Sequence, residues 1–233
     1  MKSLALGLAV AVLAGGAFAA ETAMTAPNTL TAAEKAAGWT LLFDGKSMVN
    51  FKGFKTAALD GGWHINADGS LGPDPKTSKD AVTKAKYENF DLTFDWKISK
   101  MGNSGVMFHV IDVGDETYES GPEYQILDNA HGEPPPQRAG ALFALIAPSK
   151  DVPAPVGQWN HARLVVDHGK VQHWLNGVLV VEYEIGSPDF KVRVDKSKFR
   201  QWPQFATGKT GYIALQNHGD AVAFENLKIK VLK

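Results

Sequence analysis

The chain has 233 residues with 24 Lys and Arg against 25 Asp and Glu, a formal net charge of −1 that implies no basic face for nucleic acid or an anionic membrane. It has no cysteine, which excludes disulfides, thiolate nucleophiles and Cys-type zinc sites. Its length suits one substantial domain resting on a hydrophobic core. At the start, Lys2 supplies a short positive region, Leu4 to Leu13 an apolar run, and Ala17-Phe18-Ala19 a small-x-small cleavage site. That pattern predicts a secretory signal peptide over residues 1–19. The apolar run is too short to span a bilayer comfortably, so the mature protein is expected outside the cytoplasm and free of the membrane. Residues 20–37 read as a leader with a short helix at Thr31 to Ala37, started by a Thr cap. Residues 38–233 read as one folded domain.

Hydrophobic alternation dominates the remainder. Phe90, Leu92, Phe94, Trp96 and Ile98 share one face against Asp91, Thr93, Asp95 and Lys97, the pattern of a half-buried antiparallel strand. Further strands are predicted at Trp39 to Phe43, Gly62 to Ile65, Ser104 to Ile111, Gly121 to Leu127, Ala141 to Leu145 and His161 to Asp167. Val171 to Asn176 and Val178 to Glu184 form a hairpin at Asn176-Gly177, and Gly211 to Gln216 and Val222 to Leu232 close the chain. Asp189 to Arg200 could hold one more helix. About ten strands with little helix imply a two-sheet sandwich or jelly roll. Two proline-bearing loops, Asn129 to Gly140 and Ile146 to Gln158, are stiff enough to wall a binding cleft.

The most informative segment is Gly121-Pro122-Glu123-Tyr124-Gln125-Ile126-Leu127-Asp128. On a strand, Glu123 and Gln125 point one way while Tyr124 and Ile126 point into the core. A β-bulge after them would return Asp128 to the polar face. Such a row suits sugar chemistry, where one acid moves a proton and its neighbours orient hydroxyls. A surface strand edged with solvated acids would read the same way.

Six short motifs, in order, carry a resemblance. They are Gly38-Trp39-Thr40-Leu41-Leu42-Phe43-Asp44-Gly45-Lys46, Asn103-Ser104-Gly105-Val106, the Gly121 to Asp128 segment, His173-Trp174-Leu175-Asn176-Gly177, Ile213-Ala214-Leu215-Gln216-Asn217-His218-Gly219 and Phe224-Glu225-Asn226-Leu227-Lys228-Ile229. Together they resemble the bacterial 3-keto-disaccharide hydrolase domain family from about Gly38 to Leu232. The resemblance implies a concanavalin-like jelly roll, a periplasmic or secreted protein, and a 3-keto-glycoside substrate. The fold is similar to that of laminarinase-type glucanases, whose acid triplet is spaced E-x-D-x-x-E. Here that spacing holds Glu123, Gln125 and Asp128, so the carboxylate pair of ordinary retaining hydrolysis is incomplete.

A ketone at C3 removes the need for that pair. It acidifies the C2 hydrogen, so a base can take it and the glycosidic oxygen on C1 can leave; water then adds back. Glu123 and His218 are the candidate acid/base groups, with a structural ion pair and an ordinary polar histidine as their plainer readings. His218 follows a strand on which Gln216 shares its outward face. Asn103, Ser104, His109, Gln125, Asp128 and Gln216 are candidate substrate-binding residues, although Asn103 and Ser104 also suit a turn and the family usually has an arginine near His109. His173 reads as a core histidine. A divalent metal held by Glu, His and Asp from separate strands is left open. The competing reading is a non-catalytic carbohydrate-binding module on the same scaffold.

Overall fold

The computed structural model describes residues 26–76 and 79–233. The predicted signal segment and the start of the leader lie outside those residues. Thirteen strands form two antiparallel sheets. They are β1 (Thr40–Leu41), β2 (Phe51–Gly53), β3 (Trp63–Ile65), β4 (Leu71–Pro73), β5 (Ala81–Thr83), β6 (Phe90–Ile98), β7 (Asn103–Val110), β8 (Glu123–Leu127), β9 (Asn160–Asp167), β10 (Lys170–Leu175), β11 (Val178–Glu184), β12 (Tyr212–Leu215) and β13 (Val222–Val231). The larger sheet runs β11-β10-β9-β6-β13-β4-β3, with β1 also paired to β13; the smaller runs β2-β5-β12-β7-β8. This is the jelly-roll sandwich that the alternation implied.

The core lies between the sheets because each strand sends every second side chain inward. Phe90, Leu92, Phe94, Trp96 and Ile98 of β6 are all buried there, as their alternation predicts. Phe94 meets Tyr124 of β8 edge-on at 5.4 Å between ring centres, and the Tyr124 hydroxyl donates across the sandwich to the Trp174 carbonyl at 3.0 Å. Asn176 and Gly177 both take positive φ (48° and 80°), which the tight β10–β11 hairpin requires.

Three short strands, β2, β4 and β5, have no counterpart among the predicted ones; at three residues each they barely show a period. The helix expected within Asp189 to Arg200 forms as α2 (Pro188–Asp195), started by Ser187, whose side chain accepts from the Phe190 amide, with a 3-10 turn at Lys198–Gln201 after it. The strand predicted at Ala141 to Leu145 is not a strand. That segment follows the free edge of β8 irregularly: the Gln125 amide donates to the Ala141 carbonyl and the Phe143 amide to the Glu123 carbonyl, each at 3.1 Å. Ala141, Leu142 and Leu145 are buried and Phe143 and Ala144 half-buried, and the segment serves to cover a sheet edge.

The short helix in the leader is α1 (Ala32–Ala36), held by a capping box between Thr31 and Glu34. Ahead of this helix the leader is also tied to the domain. Asn28 is 5% exposed and exchanges hydrogen bonds with Asn226: each backbone amide donates to the other's side-chain oxygen, at 2.7 and 2.8 Å.

Candidate active site

The inner face of the smaller sheet is core, so its outer face is where polar side chains can gather. On β8 the period of two puts Glu123 and Gln125 outward, as the sequence implied. On β12 it puts Ala214 outward, and Gln216 continues on that side just beyond the strand. A pocket of about 200 Å³ opens on this face, lined by Asn103, Tyr118, Glu123, Gln125, Phe143, Lys198, Gln216 and His218. The space is below the roughly 300–1,000 Å³ usual for drug-sized ligands and fits a single sugar ring better than an oligosaccharide.

Glu123 is 4% exposed. Burial pushes its carboxyl up to about 8; the Lys198 charge pulls it down and the Asp80 charge adds to the rise. Room for this carboxyl comes from β7. Gly105 pairs with Gln125 in the β7–β8 ladder, and a Cβ on Gly105 would lie 2.1 Å from Glu123 Oε1. Any larger residue there would occupy the carboxyl's place.

Two amides form the floor. Gln125 Nε2 donates to Asn103 Oδ1 at 3.1 Å, and the Asn103 backbone N–H donates to Asp220 Oδ2 at 3.0 Å. The side-chain oxygens of Gln125 and Gln216 are buried without a hydrogen-bond partner. Orphaned acceptors beside a pocket are costly unless a ligand hydroxyl completes them. His218 stands at the exposed side of the pocket.

The structure thus brings together Asn103, Glu123, Gln125, Gln216 and His218. It separates the other three candidates. Ser104 points inward, fully buried, and its hydroxyl donates to the Gln216 carbonyl at 2.9 Å, tying β7 to the end of β12. Asp128 does not return to the polar face through a bulge. The chain turns into a 3-10 helix at Asn129–His131, and the Asp128 carboxylate caps it, accepting from the Ala130 amide at 3.0 Å and the Met101 amide at 2.8 Å. His109 occupies a bulge in β7 with φ of 52°, where the register against β12 shifts. Its ring packs against Phe90 and Phe108, and its Nε2 lies 2.8 Å from the Glu88 carbonyl. It borders a separate cavity of about 440 Å³ with Glu88, His168 and Lys209. That cavity is larger, but of the sequence-predicted site residues it holds His109 alone, whereas the Glu123 pocket gathers five. His173 is the core histidine expected: it is fully buried, its Nδ1 is 3.0 Å from the Gly140 carbonyl, and burial lowers it to about 4.

Sequence reasoning missed Tyr118, Phe143, Lys198 and Asp80. The proline loops do not wall the pocket; Phe143, between them, does, with Tyr118 and Lys198 from other segments. Asp80 clamps two of the walls. It accepts from the Thr117 hydroxyl and, at 2.9 Å, from the Asn217 amide, so the turn bearing Tyr118 and the segment bearing His218 share one anchor. Burial pushes Asp80 up to about 6 against the pull of those bonds. No signal in the sequence joins these positions, which lie in separate segments. Among the described residues no three His, Asp or Glu side chains gather as a metal-binding group.

The chain is similar to known proteins over most of its length. A Bacteroides thetaiotaomicron protein named 3-keto-disaccharide hydrolase is 30% identical, covering 91% of this chain and 87% of its own. A crystal structure from Parabacteroides distasonis, of a protein provisionally assigned as a glycosyl hydrolase, matches with TM-score 0.82 at 35% identity, covering 89% of this chain and 100% of that one. A second from the same organism, with the same provisional assignment, matches with TM-score 0.64 at 25% identity, covering 83% and 99%. The sequence pattern of one family matches residues 38–230. The chain belongs to the 3-keto-alpha-glucoside-1,2-lyase-like domain family.

Proposed function

We propose that this protein is an exported glycoside hydrolase that cleaves 3-keto-disaccharides and related 3-keto-glycosides by elimination and hydration. The relatives support a glycoside hydrolase. The observation that carries the finer reading is that Glu123 is the one carboxylate lining the pocket. Ordinary retaining hydrolysis uses two carboxyl groups about 5–5.5 Å apart. Here Gln125 cannot ionise and Asp128 is engaged as a helix cap. A substrate that already carries a ketone does not need the second carboxylate.

In this mechanism the Glu123 carboxylate takes the proton from C2, and the electron pair of that bond forms the enolate of the C3 ketone. The enolate then collapses to the ketone, a C1–C2 double bond forms, and the C1–O bond breaks toward the departing alcohol, which takes a proton from Glu123. Water adds its oxygen to C1 and a proton returns to C2, which completes net hydrolysis. A carboxyl near 8 is a stronger base than an ordinary one once ionised and a ready donor once protonated. Gln125, Gln216 and Asn103 orient the ring hydroxyls, and His218 at the mouth meets the departing sugar and relays protons to solvent. A binding module would have no use for a carboxyl held out of water at such cost.

The test is product analysis with a 3-keto-disaccharide and with its unoxidised parent, each deuterated at C2. The oxidised sugar should be cleaved with loss of C2 label to solvent, and the parent left intact. Equal rates on both sugars, or full retention of the C2 label in the product, would overturn the mechanism; binding of either sugar without cleavage would favour the module.

A further inference from the structure

We infer that Lys198 is the group that reads the ketone: its ammonium receives the C3 oxygen of the bound sugar and holds the negative charge that forms there when C2 loses its proton. This rests on the elimination mechanism above. That mechanism demands a stabiliser for the enolate, and neither Glu123 nor the floor amides supply a positive charge.

The geometry supplies one. Lys198 opens the 3-10 turn at Lys198–Gln201, whose preceding Ser197 caps it by accepting from the Phe199 amide. Lys198 is an exposed residue of this turn, and its ammonium lies over aromatic faces. Nζ lies 4.5 Å from the centre of the Phe143 ring, 5.4 Å from Phe199 and 5.6 Å from Tyr118. Phe143 and Tyr118 line the same pocket as Glu123. Aromatic faces hold a cation in place and screen it from water, yet they do not neutralise it.

No ion pair joins Lys198 to any carboxylate among the described residues. It and Glu123 feel each other's charge across the pocket without touching. Elsewhere in the fold some cations do find carboxylates, such as Lys86 with Asp112 and Lys228 with Glu34. At neutral pH Glu123 is largely protonated, so the pocket holds an uncompensated positive charge facing a neutral acid. That arrangement is incomplete in the resting protein and becomes complete when an oxyanion forms between the two groups. A preorganised charge aimed at an atom that turns negative only during reaction acts on the transition state, not on binding. It also explains selection: a C3 hydroxyl cannot accept that charge, whereas a C3 ketone can.

The experiment compares the wild-type protein with Lys198→Met, which keeps an unbranched stem, and Lys198→Arg, which keeps the charge. Each is assayed for cleavage of a 3-keto-disaccharide, for loss of C2 deuterium to solvent, and for melting temperature. Lys198→Met should lose about 10²-fold or more in kcat, with C2 exchange falling in parallel, KM moving less than kcat and the melting temperature holding. Lys198→Arg should retain more of the rate than Lys198→Met. A folded Lys198→Met that exchanges C2 deuterium at the wild-type rate overturns the assignment while leaving the elimination reading intact. Parallel loss of rate and melting temperature in both variants would make Lys198 structural and also overturn it. A wild-type protein that leaves the 3-keto sugar uncleaved overturns the elimination reading first, and the role of Lys198 with it.

Discussion

Glu123 is mostly protonated at pH 7, because burial, reinforced by the Asp80 charge, outweighs the pull of Lys198 and lifts its carboxyl to about 8. Two measurable consequences run in opposite directions. If the ionised form removes the C2 proton, kcat/KM should climb with pH and level off above about 8. For stability the sign reverses. The folded value lies above the ordinary 4.5, so the folded state holds this proton more tightly than the unfolded chain does. The neutral carboxyl contributes full stability below about 4.5, and that contribution drains away as pH rises toward 8. Glu123→Gln cannot titrate. It should lose about 10²–10⁴-fold in turnover, yet melt no lower than wild type at pH 4.5 and several degrees higher at pH 8. A melting curve series at both pH values, beside the pH–rate profile, checks this; a Gln variant less stable than wild type at pH 8 would show that the buried carboxyl is held by partners and not merely desolvated. At this scale the alternation of Glu123 and Gln125 was legible because the strand period fixes which way they point. Lys198, Tyr118 and Asp80 were not, because convergence of side chains from separate loops leaves no trace in spacing. Asp128 misled because a local backbone need, capping the turn at Asn129–His131, took the carboxylate that the spacing had assigned to chemistry.

Between strands, the pocket depends on an absence. β7 and β8 pair Gly105 with Gln125 and Met107 with Glu123, and the Glu123 side chain leans across the bare Cα of Gly105. Gly105→Ala would place a methyl within 2.1 Å of Oε1 and within 2.8 Å of Cγ and Cδ. The neighbours that must yield are the far end of a flexible side chain, so the sheet should survive and the carboxyl should swing away. A misplacement of about 1 Å at a reacting group costs on the order of 10²-fold. Gly105→Ala is therefore expected to fold with near-wild-type melting temperature and to lose about that much kcat, with C2 exchange failing in step; unchanged exchange would mean that Glu123 works from another position. The sequence marks the same glycine only as part of an Asn-Ser-Gly-Val motif. Long strands such as β6, β9 and β13 were legible because eight to ten residues display their period. The edge cover at Ala141 to Leu145 was misread, because Ala141, Leu142 and Leu145 are buried as a strand's residues would be while the segment pairs irregularly with β8.

Across the whole molecule, the fold begins earlier than a boundary at Gly38 suggests. Asn28 makes three hydrogen bonds to two partners. Its amide donates to Asn226 Oδ1, its side-chain oxygen accepts from the Asn226 amide, and its Nδ2 donates to the Gly69 carbonyl at 3.0 Å. Asn226 sits where β13 breaks register between Glu225 and Lys228, with φ of 52°, and its Nδ2 donates to Asp95 at 2.7 Å. The bulge frees backbone groups that the ladder would otherwise hold, and Asn28 satisfies them. Six residues on, Glu34 accepts from Lys228 at 2.7 Å, with the lysine side chain only 12% exposed. The leader thus ties β13, the strand shared by β1, β6 and β4, to the loop between β3 and β4. A chain beginning at Gly38 would leave the Asn226 amide unpaired and Lys228 without its carboxylate. With about 1 kcal/mol net for each hydrogen bond and more for those to charged groups, the loss should be roughly 2–4 kcal/mol, or on the order of 5–15 °C in melting temperature for a domain of this size. A chain beginning at Ala26 keeps these contacts and is the reference for that loss. The pocket lies on the other sheet, so the shortened chain should keep its kcat at temperatures where it remains folded. Equal melting of the two chains would make the leader a passenger; a fall in kcat well below the melting transition would mean that β13 and the Glu123 pocket are coupled through the core.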